Sequence, residues 1–323
     1  MTSALFLLAG CGSTSTPASK APKKVKIGIT QIVEHPSLDD NRKGFIAALK
    51  DAGYEEGKNL ELDVQIAQGD MSNNATIAQK FVSDKDDLIL AISTPSAQAA
   101  IKSAQSTNIP VVFSAISDPL GAKLVTNLEK PGGNVTGTAD TVPDHYVSSV
   151  KAIKDFFPNA KKVGVIYNSG EQNAVQNLKD AEKAMKEIGL EPVEASATKS
   201  SEVQQAAESL VGRVDVLAYY KDNTVATALE SVIKVADDNK LPFFAGDIDS
   251  VKRGALAAIG FEEYDLGYKS GEMAVDILKG KKPGEIPVAF PDGMKLYLNE
   301  KAAKQVGLNV PDELKKNAVI VGK

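Results

Sequence analysis

Six stretches of this 323-residue chain crowd hydroxyl, amide and carboxylate side chains directly behind apolar runs. They are Gln31-Ile32-Val33-Glu34-His35-Pro36-Ser37-Leu38-Asp39, Ser93-Thr94-Pro95-Ser96, Ser117-Asp118-Pro119, Asn168-Ser169-Gly170-Glu171-Gln172-Asn173, Lys221-Asp222-Asn223-Thr224 and Gly246-Asp247-Ile248-Asp249-Ser250. Ser, Thr, Asn and Asp are favoured helix N-caps, and one per helix meets that need. Here Thr94 and Ser96 flank a proline, and Asp222, Asn223 and Thr224 run together. That is more polarity than capping requires, and it suits hydrogen bonding to a small polar ligand. Free N–H groups and hydroxyls at helix starts receive an anionic group. Asp118, Asp222 and Asp247 offer partners for an ammonium group.

Arginine occurs only at 42, 213 and 253, and none falls in these stretches, so a bidentate guanidinium hold on a carboxylate is not expected. Together these features suit a neutral zwitterion such as an amino acid, and suit polyanions poorly. Tyr167, Tyr219, Tyr220, Phe243 and Phe244 are read as core residues, with one or two available to stack on a flat apolar group. The patterns of catalysis are missing. His35 and His145 are the two histidines, neither at metal-ligand spacing. His35 is read as capping a helix or lining the cleft, and His145 as lying on a surface helix of the second half. The chain holds no GxSxG elbow, no GxxxxGK[ST] loop and no GxGxxG fingerprint. We read a binding protein, not an enzyme, with no cofactor and no metal. A net charge of −5 and the lack of an aromatic-interleaved basic patch exclude a nucleic-acid partner.

The elements that must position these stretches alternate in type. Strand-like runs at 26–30, 62–67, 88–93 and 110–115 alternate with helical segments near 38–52, 73–84, 95–106 and 119–127. A second series has strands at 162–168, 192–197, 215–220 and 242–246, and helices near 171–188, 201–210, 223–239 and 249–253. Such alternation specifies parallel α/β units. The two series overlay: KIGI at 26–29 matches KVGV at 162–165, and ALKDAG at 48–53 matches AMKEIG at 184–189, both offset by 136 positions. We expect an α/β fold of two doubly wound parallel-sheet lobes. Lobe 1 is expected to comprise 25–135 plus 256–288, and lobe 2 to comprise 136–255 plus 289–323. Three crossings between them would form a hinge, and ligands would bind between the lobes, beyond the carboxyl ends of the strands.

The single cysteine, Cys11, follows Leu8-Ala9-Gly10 and precedes a Ser/Thr/Ala/Pro/Lys tract reaching Lys24. The apolar run before it is far short of the ~20 residues of a membrane span. It reads as the tail of a secretory signal ending in a lipobox, with Cys11 lipidated and 12–24 a tether lacking the apolar content to fold. One cysteine permits no intrachain disulfide. The folded body is expected outside the cytoplasmic membrane.

The strings HPSLDDNRKGFIAALKDAGYEEGKNL, ISTPSAQAA, PVVFSAISDPLGAKLV, NVTGTAD, DNTVATALE and GALAAIGFEEYDLGYKSGEMAVDILKG resemble the ABC-transporter substrate-binding proteins of the tryptophan/tyrosine type. The resemblance covers nearly the whole chain after the tether. It implies a type I periplasmic-binding fold and a lipoprotein receptor of a Gram-positive bacterium, delivering its ligand to a membrane permease with a cytoplasmic ATPase; a monomer is expected. It implies an aromatic amino acid such as tryptophan, tyrosine or phenylalanine as ligand. It also implies contacts from Ser37, Thr94, Ser96, Asp118, Ser169, Asn173, Asp222, Asn223 and Thr224, to which the sixth polar stretch adds Asp247. Lys221 departs from the small polar residue that often precedes DNT, and Gly246-Asp247-Ile248-Asp249 departs in spelling from a common acidic pair. A sensor, or a receptor for another amino acid, a nucleoside or a sugar, could be built on the same body. The absence of tryptophan removes the usual stacking platform for sugars.

Overall fold

Continuous apolar runs such as LILAI and VVFSAI are what a parallel sheet covered on both faces demands. A computed structural model describes residues 24–142 and 144–322, and Cys11 with its tether lies outside them. The first lobe is built from β1 (Val25–Gln31), α1 (Pro36–Asp51), β2 (Leu60–Ile66), α2 (Met71–Ser83), β3 (Leu88–Ile92), α3 (Thr94–Ala104), β4 (Val111–Ile116) and β5 (Val135–Ala139). Its sheet is parallel throughout, in the order β2-β1-β3-β4-β5.

The second lobe holds α4 (His145–Phe156), β6 (Lys162–Tyr167), α5 (Gln172–Glu187), β7 (Glu191–Ser196), α6 (Val203–Leu210), β8 (Val216–Ala218), α7 (Asn223–Thr227), α8 (Leu229–Asn239), β9 (Phe243–Phe244), α9 (Ile248–Arg253) and β10 (Ala257–Gly260). The chain then returns to the first lobe as α10 (Glu263–Leu278), and ends in the second as β11 (Lys295–Asn299), α11 (Glu300–Gln305), α12 (Asp312–Lys316) and β12 (Ala318–Val321). The second sheet runs β12-β11-β10-β9-β8-β6-β7, with β11 antiparallel to β10. Its β7-β6-β8-β9-β10 portion repeats the strand order of the first sheet, as a duplicated sequence should.

Alternate strand residues feed cores on opposite faces of each sheet. Leu88, Leu90 and Ile92 pack with α1 and α10, whereas Ile89 and Ala91 pack with α2 and α3. In the second lobe Val163 and Val165 face α4 and α5, and Leu217 and Tyr219 face α6 and α8. α10 lies close against α1 because glycines meet at the contact. A Cβ on Gly267 would come within 1.8 Å of the Asn41 carbonyl oxygen, and one on Gly44 within 2.0 Å of that of Tyr264.

Several expectations are corrected. Residues 136–139 belong to the first sheet as β5, and 257–260 to the second as β10. In each lobe the chain completes a fifth parallel strand, whose backbone groups need sheet partners, before it crosses. The crossings therefore fall after Asp140, at 261–262 and after Ala289, which still bridges Thr138 of the first lobe. Residues 119–127 form turns, not a helix. Asp118 Oδ1 accepts from the Gly121 N–H (2.8 Å), and Lys123 adopts a left-handed backbone that no helix continues. The 223–239 segment is two helices, broken at Ala228. His145 opens α4 but is buried, its Nδ1 3.0 Å from the Met294 sulfur. No described helix is long and apolar enough to cross a membrane.

Candidate ligand-binding site

The carboxyl ends of both sheets point into the gap between the lobes, so helix starts converge there. One cavity draws its walls from the first turns or caps of α1 (His35, Ser37, Leu38), α3 (Ser93, Thr94), α5 (Asn173), α7 (Lys221, Asp222, Asn223), α9 (Asp247) and α10 (Glu263). Ala115, Ser117, Asp140 and Ala226 complete the lining. These residues line a cavity of about 40 Å³. The lobes touch around the cavity. Ser37 Oγ donates to Asp247 (3.0 Å), Asn177 Nδ2 donates to Ser117 Oγ (3.3 Å), and Lys221 pairs with Asp140 and Glu263.

Two of the aspartates already hold structure together. Asp222 caps α7 through the Val225 N–H (2.9 Å) and also accepts from the Asn168 N–H. Asp247 caps α9 through the Ser250 N–H (2.9 Å) and accepts from the Ser250 and Tyr219 hydroxyls. Other polar atoms have no such use. Ser93 Oγ and Asn173 Oδ1 are buried in the lining, one from each lobe, without a hydrogen-bond partner. An unmet buried polar group costs about 1–3 kcal/mol. Strain gathers here as well. Ser93 (φ 78°), Ala115 (φ 56°) and Lys221 (φ 44°) all line the cavity with left-handed backbones. Ser93 sits at ψ 158°, a combination otherwise nearly confined to glycine. It is pinned on both sides, by its N–H to the Ser114 carbonyl (2.9 Å) and by its own carbonyl to the Ala97 N–H (3.0 Å).

The electrostatics are lopsided. Burial, reinforced by the charge of Glu171 behind it, pushes the Asp222 carboxyl up to about 7. Burial also lifts Glu263 to about 7, against the pull of Lys221. Burial opposes ionisation of Asp247, but the donors from Tyr219 and Ser250 outweigh it and its carboxyl titrates below the usual range. Burial would lower Lys221, yet Asp140 and Glu263 outweigh it and the ammonium is held above its ordinary value. Burial depresses His35, which is neutral at pH 7. The cavity therefore favours a cationic group over an additional anion, except at the N–H and hydroxyl donors of the α3 start.

Of the residues singled out in the sequence, the structure brings Ser37, Thr94, Asn173, Asp222, Asn223 and Asp247 to this cavity. Four do not reach it. Ser96 is fully buried behind the α3 start, 3.3 Å from Asn74 Oδ1. Thr224 turns to Asn168 and Glu171. Asp118 spends its carboxylate on the Gly121 turn, and Ser169 faces solvent. None of Tyr167, Tyr219, Tyr220, Phe243 or Phe244 lines the cavity. Tyr219 is core, 5.9 Å from Phe243 between ring centroids, with only its hydroxyl reaching Asp247. Sequence reasoning missed Asp140 and Glu263, and it placed Ser93 in a polar stretch without naming it as a contact. The end of a strand in TGTAD and the acidic start of α10 in GFEEYD were the available signals.

The sequence profile described as ABC transporter substrate binding protein matches residues 26–321. A curated relative from Clostridioides difficile (strain R20291), "Tyrosine-binding protein", is 45% identical over 94% of this chain and 88% of its own length. Two solved structures are similar over nearly the whole chain. The "ABC domain in complex with L-Trp" from Streptococcus pneumonia is 33% identical, with a TM-score of 0.87, covering 93% of this chain and 100% of that one. The ligand-free, open structure of a substrate binding protein with adhesive properties from Clostridium difficile is 45% identical, with a TM-score of 0.68, covering 92% of this chain and 99% of that one. The more distant sequence is the better superposition. Two parallel-sheet lobes, a polar interlobe cavity and a profile match over nearly the whole described chain agree: this chain belongs to the ABC transporter substrate-binding protein family.

Proposed function

We propose that this protein captures an aromatic amino acid, L-tyrosine, L-tryptophan or L-phenylalanine, between its lobes and hands it to the permease and ATPase of an ABC importer. The observation that carries this reading is a pair of buried, unpartnered atoms on cavity-lining residues of opposite lobes, Ser93 Oγ and Asn173 Oδ1. The ligand carboxylate sits at the start of α3, on the Ser93 hydroxyl and the N–H groups of the first turn, where the helix carries partial positive charge. The ammonium group points to Asn173 Oδ1 and the acidic second-lobe wall at Asp222. The side chain lies against Leu38, Ala115, Ala226 and the neutral His35 ring, all of them lining residues. A relative named for tyrosine and another holding L-Trp support the choice of an aromatic side chain.

Binding works by hinge closure: a ligand touching both lobes favours the closed form by its differential affinity. The protein acts as a monomer outside the cytoplasmic membrane, anchored through a lipid on Cys11. Cys11→Ser is expected to release the protein from the membrane fraction without changing ligand affinity. Calorimetric titration with the three aromatic amino acids, leucine, glutamine and glucose tests the ligand. Saturable one-to-one binding confined to the aromatics is expected, and a protein that ignores them while binding another of the panel overturns the assignment. Because the chain has no tryptophan, the emission of added L-Trp gives an independent readout.

A further inference from the structure

A cluster of charges at the cleft lies outside the ligand contacts just described. Lys221 follows β8 in the second lobe, and its side chain is only 8% exposed. Its Nζ lies 3.4 Å from Asp140 Oδ2 and 3.5 Å from Glu263 Oε1, and 4.7 Å from the centroid of the Phe261 ring. Both acids belong to the first lobe: Asp140 directly follows β5 and its N–H donates to the Ile116 carbonyl (2.9 Å), and Glu263 opens α10. Each is fixed before the cation arrives. Asn41 Nδ2 donates to Glu263 (3.1 Å), and the Thr141 hydroxyl donates to Asp140 (3.0 Å). The cation is fixed as well, since the left-handed Lys221 backbone packs on Gly246, where a Cβ would come within 2.3 Å of the Lys221 nitrogen.

We propose that Lys221, Asp140 and Glu263 form an ionic latch that holds the lobes shut over the ligand, with Lys221 a positioning residue that prolongs the ligand's stay. The proposal rests on the reading of the cleft as a hinged ligand site. Opening the lobes parts the ammonium from both carboxylates, and water then solvates all three. Closing strips that water away, and the pairing compensates it only when every member is present. Removing the cation leaves two buried carboxylates uncompensated, and removing the acids leaves a buried ammonium alone. Either loss penalises the closed form, whereas replacing the whole cluster by neutral groups is close to harmless. Every variant is expected to fold in the open form, where these groups stand in water. Changes of this kind act chiefly on release.

The test measures affinity and release rate, in the full chain, for whichever of L-tyrosine, L-tryptophan and L-phenylalanine the wild type binds most tightly. Three proteins are compared with it: Lys221→Met, the double variant Asp140→Asn with Glu263→Gln, and the triple variant combining all three changes. The latch predicts that the first two weaken binding by about fivefold or more, through faster release, and that the triple variant is less impaired than either. Losses smaller than about fivefold in the first two, or a triple variant at least as impaired as the worse of them, overturn it. The latter result would make Lys221 a direct ligand contact. A wild type that binds none of the three amino acids overturns the ligand assignment instead. X-ray scattering without added amino acid then decides the latch: a larger radius for Lys221→Met than for wild type supports it, and equal radii overturn it.

Discussion

At the scale of single residues, Ser93 shows the conflict between folding and binding most directly. Its backbone conformation costs about 1–3 kcal/mol in a non-glycine residue, and its hydroxyl is buried without a partner. Ser93→Gly removes both burdens at the expense of some unfolded-chain entropy. We expect it to raise the free energy of unfolding by about 1 kcal/mol in urea titration while weakening aromatic amino acid binding by about tenfold or more. Ser93→Ala keeps the strain and loses the hydroxyl, so it should weaken binding equally without the gain in stability. A variant that binds as tightly as wild type would remove Ser93 from the site. The residues that were legible in the sequence, such as Thr94, Asp222 and Asp247, are those whose capping chemistry is also ligand chemistry. Asp140 and Glu263 were illegible because their meaning depends on Lys221, 81 and 42 positions away and in the other lobe. Ser93 stood in a polar stretch without being singled out, because its strained backbone has no local signature.

At the scale of elements, the site depends on how closely helices can approach. Gly267 and Gly271 of α10 face Asn41, Phe45 and Ala48 of α1, and that contact seats Glu263 beside Asn41. Gly267→Ala adds helix propensity of about 1 kcal/mol, yet its Cβ would drive into the Asn41 carbonyl oxygen. Overpacking of this kind costs about 1–3 kcal/mol and shifts backbone. The expected outcome is a net loss of stability, measured by urea unfolding, together with weaker ligand binding as α10 moves off α1. A variant more stable than wild type would mean that the helices part without strain. Strand-helix alternation made most elements legible, because buried parallel strands and amphipathic helices have distinct periods. The 119–127 segment misled because its apolar residues recur at helical spacing, while the Asp118–Gly121 turn that prevents a helix is visible only in three dimensions. The late elements β11, α11, α12 and β12 have no counterpart in the repeat, and nothing in the first half announces them.

At the scale of the whole molecule, buried ionisable groups tie stability to pH. Asp222 and Glu263 titrate at about 7 in the folded protein, against ordinary values of 3.8 and 4.5. The folded state therefore takes up protons that the unfolded state does not as pH falls from 8, and stability should rise by roughly 1 kcal/mol between pH 8 and 6.5. Below 6.5 the unfolded chain protonates His35 and His145, which burial depresses in the folded state, His145 to about 3. That opposes the carboxyl contribution, so the rise should flatten. Denaturant unfolding across this range checks the sign, and stability falling from pH 8 to 6.5 would contradict it. The duplication, read from two matches at a single offset of 136 positions, revealed the two parallel-sheet lobes. It left the crossings displaced by a few residues, because a strand that closes one sheet and a strand that leads to the next read alike. The central claim is that an amino acid closes these lobes upon itself, and small-angle X-ray scattering of the full chain with and without saturating L-tyrosine or L-tryptophan tests it most directly. A smaller radius of gyration is expected in the saturated protein, and an unchanged radius at a concentration where calorimetry shows full occupancy would rule closure out.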